Sequence, residues 1–81
     1  MRLFKKKATP EQRDAIRDKA AQRMSTLSPA EILTYAEQYL GASWMALDGY
    51  KREPGTERLV EFLTNLSTLD GIADALAARH L

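Results

Sequence analysis

The chain contains no cysteine, which excludes disulfides, thiolate metal sites and thiol chemistry together. Histidine is nearly absent as well. His80 is the one histidine, close to the last residue, where it suits the negative end of a helix dipole better than a catalytic or ligand role. The four glycines are scattered, so no glycine-rich phosphate loop can be drawn, and no HExxH or similar ligand cluster occurs. No apolar run approaches the roughly 20 residues that a bilayer span requires. The opening MRLFKKKATP has a charged head but no apolar stretch behind it, unlike a secretory signal. These absences lead us to expect a cytoplasmic protein that is not an enzyme and carries no cofactor and no metal.

What is present is the material of one small helical domain. Hydrophobic residues make up 44% and charged residues 28% of 81, a globular composition near the size at which a single core just suffices. The net charge of +1 conceals an asymmetry. Residues 1–23 hold eight basic and three acidic side chains, whereas residues 24–81 hold four basic and eight acidic. We read residues 1–8 as a basic arm and residues 9–81 as the folded domain.

Helix starts are the most specific signals. In ATPEQ, Thr9 is an N-cap, Pro10 occupies the first helical position and Gln12 closes a capping box. LSPAEI repeats the device with Ser28, Pro29 and Glu31, and Leu27 can staple onto Ile32. A first helix over about 10–25 carries a thin stripe of Ile16, Ala20 and Met24, flanked by the long basic stems of Arg13, Arg17 and Arg23. A second, over about 29–48, is expected to turn Ile32, Leu33, Ala36, Tyr39, Leu40, Ser43 and Leu47 inward. Tyr35 and Trp44 then lie at the two edges of that face and Met45 further out. Asp48-Gly49 is the expected end, followed by an exposed GYKREPG loop.

The remaining ERLVEFLTNLSTLDGIADALAARHL repeats Leu59, Phe62, Leu66, Leu69, Ala73 and Leu76 at three-four spacing, which suits one long helix with this seam in the core. Against that, Asn65, Ser67, Thr68, Asp70 and Gly71 are poor helix formers, and Ser67 with Asp70 looks like a fresh cap. A break near 66–68 is therefore expected, with helices over about 56–66 and 68–80. The fold class is all-α, a bundle of three to four helices.

Two stretches resemble parts of a helix-turn-helix unit. TLDGIADAL is similar to its first helix, but only Arg79, His80 and Leu81 follow Ala78, leaving no recognition helix. LGAS is similar to its turn, but Trp44, Met45, Ala46 and Leu47 are poor base readers. Sequence-specific duplex binding is not expected. Nor do Glu53, Glu57 and Glu61, at i, i+4 and i+8, bring a second ligand type; they read as a solvated face.

Three features are left that could bind, one of them the heptad-like seam of the last 25 residues, read as core with a dimer face as the alternative. Trp44, Met45, Tyr50, Lys51 and Arg52 combine aromatic, Met and basic residues around the expected end of the second helix, the composition of protein-interface centres. Arg2, Lys5, Lys6 and Lys7, with Leu3 and Phe4, form an arm able to meet phosphates or an anionic lipid surface. The expected function is a small protein-interaction module, acting as an adaptor, assembly factor or inhibitor on another protein, with homo-oligomerisation compatible. The alternative is a nucleic-acid-associated accessory protein using the basic arm without base readout, and a weaker third is a membrane-surface adaptor.

Overall fold

The computed structural model describes residues 9–80, and the basic arm over 1–8 lies outside the described residues. Within them the chain forms three α-helices and no strand: α1 (Pro10–Met24), α2 (Pro29–Arg52) and α3 (Thr56–His80). No helix among the described residues is long and apolar enough to cross a membrane.

Both helix starts are built as the sequence predicts. The Thr9 hydroxyl accepts the Gln12 N–H at 3.2 Å and the Gln12 side chain accepts the Thr9 N–H at 2.9 Å. At α2 the Glu31 N–H donates to Ser28 Oγ at 3.3 Å, and the Ser28 N–H donates to Glu31 Oε1 at 3.0 Å. Leu27 packs against the core around Ile32, completing the staple. The backbone N–H of Ser28, with its side chain second, holds the Glu31 carboxyl below the usual carboxylate range. Since the folded-state value is the lower one, this contribution is fully present above the unfolded value and is lost as pH falls through the folded one, on the acid side only. Ser28→Ala should cost about 1 kcal/mol in urea denaturation at neutral pH, because the Glu31 N–H loses its side-chain acceptor.

α2 does not end near Asp48. No glycine among the described residues has positive φ, so Gly49 stays helical, and Asp48 and Arg52 pair at 2.7 Å across the additional turn. Pro54 sets the true end. It disfavours helical geometry in the residue before it, and Glu53 stands at φ −133°, ψ 76°, its N–H donating to the Gly49 carbonyl at 2.9 Å.

Nor does the last segment break near 66–68: α3 runs unbroken for 25 residues, so the described residues form three helices rather than four. Ser67, the expected cap, is buried inside the helix, and threonines on either side of it bond back to the preceding turn. Thr64 Oγ1 donates to the Val60 carbonyl at 2.7 Å and Thr68 Oγ1 to the Thr64 carbonyl at 2.9 Å. Small residues cluster there because α1 lies against them. Ser67 and Gly71 are buried. A Cβ at Gly71 would overlap the Arg17 carbonyl oxygen and sit 2.8 Å from Ala20 Cβ. Glycine is therefore a packing requirement of the α1–α3 contact, and tertiary packing overrides its poor helix propensity.

α3 is the middle of the molecule. α1 and α2 each pack along it, while they hardly meet each other. At the end where the α1–α2 turn crosses α3, Met24, Ile32 and Ile72 form the buried core, with Leu27, Tyr39 and Leu76 against it. Arg79 of α3 ties this end down by donating to the Ser25 carbonyl at 2.8 Å. α1 has the thin apolar stripe expected, with Ala20 and Met24 buried and Ile16, Arg13 and Arg17 half-buried.

The burial of α2 and α3 differs from the expected faces. Leu33 and Leu40 are exposed rather than inward, and Ala46 is buried in addition to Ile32 and Ser43. On α3, Leu59, Leu66 and Ala73 lie outside, while the buried positions are Ser67, Gly71 and Ile72. A central helix with a partner on either side buries two faces, one narrow and one broad, and a single three-four seam does not describe it.

Candidate functional site

At about 100° per residue, Leu33, Glu37, Leu40, Trp44, Leu47 and Lys51 fall on one line along α2, spaced alternately four and three apart. Only Leu47 is partly covered. Leu33 and Leu40 are each 51% exposed and Trp44 67%. The neighbouring helix adds a parallel row, with Leu59 and Leu66 exposed seven residues apart and Ala73 seven further on. The opposite flank of α2 carries Tyr35, which lines a groove together with Thr64 and Thr68 of α3. Because α2 and α3 run antiparallel through the short Glu53–Gly55 turn, the flanks facing away from that groove share one side of the pair. Leu33, Leu40 and Trp44 of α2 and Leu59 of α3 are exposed apolar groups away from that groove, and Leu66 borders a hollow that it shares with Pro10, Arg13, Asp14 and Arg17 of α1. These exposed side chains are the candidate binding surface.

The five residues singled out around the end of α2 do not come together. The expected loop at Gly49 is a further helical turn, and the helix distributes them around its axis. Trp44 and Lys51, seven apart, lie on the apolar flank. Met45, 77% exposed, and Arg52, held by Asp48, lie on the next face round. Tyr50 is half-buried on the inner side, in line with Ile32 and Ser43. Arg2, Lys5, Lys6 and Lys7 lie outside the described residues. Leu33 and Leu40 were the residues missed as surface groups. The signal was their heptad spacing with Trp44, obscured because both leucines also border the inward face.

The charges on the apolar flank are arranged about Trp44. Glu37 precedes it by seven residues and Lys51 follows it by seven. Among the described residues neither takes part in an ion pair, in contrast to Asp48, Glu53, Glu61 and Asp74, each of which has an arginine within 4 Å.

On the other flank, α1 and α2 diverge over α3 and leave an open groove of about 470 Å³. Ile16, Leu27, Tyr35 and Tyr39 line it, with the exposed Lys19 and Arg23 on the α1 wall. Glu53, Glu57 and Glu61 line one open hollow around Arg58, which reaches Glu53 at 3.6 Å and Glu61 at 3.7 Å. Among the described residues no three His, Asp or Glu side chains are placed to hold a metal ion. His80 is exposed in the last turn of α3.

Among the described residues the fold is an all-α bundle of three helices with exposed apolar side chains along α2 and α3. No family model matches the chain, and no curated protein or solved structure is significantly similar to it.

Proposed function

We propose that this chain is a small non-enzymatic protein-interaction module, and that its contact surface is the α2–α3 apolar face centred on Leu40 and Trp44. The observation that carries the reading is the heptad-spaced row on α2. A domain this small has little apolar surface to spare, yet it holds two leucines and its one tryptophan on the outside of a helix whose inner side is already packed. Tryptophan in the middle of an apolar patch, with charged residues at its margin, is the composition of an energetic centre in protein–protein contacts.

A photo-crosslinking side chain at position 44 tests this in cells of the native host. Position 44 should give protein adducts that the same probe at Asp14, on the polar side of α1, does not give. Leu40→Lys should reduce them by more than about tenfold, corresponding to loss of over about 1.4 kcal/mol of binding, while circular dichroism stays that of the unaltered helical chain. Equal labelling from positions 14 and 44, or adducts indifferent to Leu40→Lys, would refute the assignment.

A further inference from the structure

We infer that the occupant of the α2–α3 face is a second copy of this chain, packed α2 against α2 in antiparallel fashion about a two-fold axis near Trp44. The inference rests on the reading of that face as a protein-binding surface and names its partner. The charge pattern carries it. Glu37 and Lys51 stand seven residues before and after Trp44, on the same line of α2, and among the described residues both are without an ion-pair partner.

In a two-fold antiparallel pairing, a residue n positions before the centre faces the residue n positions after it in the other chain. Glu37 of each copy then meets Lys51 of the other, twice, and the two Trp44 rings meet at the axis. Parallel pairing would place Glu37 beside Glu37 and Lys51 beside Lys51, so the charges select one orientation and disfavour the other. A pattern that reverses sign about its own midpoint is complementary to itself. An unrelated partner would require no such symmetry.

By the same rule Leu40 stands level with Asp48 of the other copy and Leu47 with Gly41, so the leucines pack diagonally against the Trp44 rings at the axis and not against one another. Leu59 and Leu66 of α3 are exposed as well. At about 200 Å² for a free leucine and somewhat more for tryptophan, the five exposed side chains present on the order of 500 Å² of apolar surface per copy. Stable interfaces bury about 800 Å² per partner, and the surrounding polar side chains supply the difference. The Tyr35 groove stays open on the far flank of each copy.

The test is sedimentation equilibrium of the full chain over a wide concentration range, with circular dichroism on every variant. The unaltered chain should form dimers that dissociate on dilution and more readily at high salt. Trp44→Ala should weaken association by more than about tenfold. Glu37→Lys and Lys51→Glu should each weaken it several-fold by setting like charges opposite one another. The double variant, which restores opposite signs, should recover most of the loss. A chain that stays monomeric at every attainable concentration overturns the inference, as does a double variant no tighter than either single one. If a monomeric chain still gives Leu40-dependent adducts from position 44, the dimer is refuted and the binding face stands. If both are lost, the face itself is wrong.

Discussion

Ile72→Ala should remove about 3–4 kcal/mol of folding stability, measured by urea denaturation with circular dichroism. Ile72 is 1% exposed and, with Ile32 at 0% and Met24 at 7%, forms the only fully enclosed cluster among the described residues. Truncation loses the transfer energy of the removed carbons and leaves a cavity walled by three different helices, which cannot collapse together without moving α1 or α2. An 81-residue domain has a total stability on the order of 4–12 kcal/mol, so this single change consumes a large share of it. Ile32→Ala should act similarly, and the two together should fall short of additivity because they share one cluster. Leu40→Ala removes the same number of side-chain carbons from an exposed site and should cost well under about 1 kcal/mol. Equal losses from Leu40 and Ile32 would mean that the two faces of α2 have been assigned the wrong way round.

The second large effect comes from the smallest substitution. Alanine for glycine inside a helix ordinarily stabilises by about 0.5–1 kcal/mol, and Gly41→Ala should do so, since its new methyl meets nothing within 4 Å. Gly71→Ala should instead destabilise by about 2–3 kcal/mol. Its methyl would fall on the Arg17 carbonyl oxygen and 2.8 Å from Ala20 Cβ, and the backbone of α1 cannot yield without lifting off α3. The α1–α3 ion pairing offers little to hold the helix in place, as Arg17 and Asp74 approach only to 3.7 Å at half-exposed positions. The pair of variants makes one measurement with opposite expected signs. If both glycines tolerate alanine equally, α1 does not pack where Gly71 places it.

Gly71 also shows why part of the fold was hidden in the sequence. The helix starts at Thr9 and Ser28 were legible because capping is local: the cap, the proline and the residue three positions on lie within one turn and answer only to each other. The continuity of α3 was not legible, because Ser67 and Gly71 are bad for a helix in isolation and right for one that another helix must approach closely. The extension of α2 to Arg52 was missed for a related reason. Gly49 could have been a left-handed terminus, and the deciding influence, Pro54, acts five residues later. On the surface, Trp44 and Lys51 were picked out by residue type and do share a face. Met45, Tyr50 and Arg52 were grouped with them on the assumption of a loop and are separated by the helix that replaces it. Leu33 and Leu40 have the composition of core residues. Their position outside it follows from the placement of α1 and α2 on two sides of α3, which no local pattern encodes.

Trp44 is the one tryptophan in the chain, so its fluorescence reports on the centre of the proposed surface without interference. The most direct measurement is iodide quenching of the folded chain, diluted until copies separate, compared with the same chain unfolded in urea. With 67% of the residue exposed, quenching in the folded monomer should be more than half that of the unfolded chain. It should fall as concentration is raised and the face becomes covered. A ring that is shielded from iodide in the dilute folded chain, and released only by unfolding, would place Trp44 in the core and contradict the account.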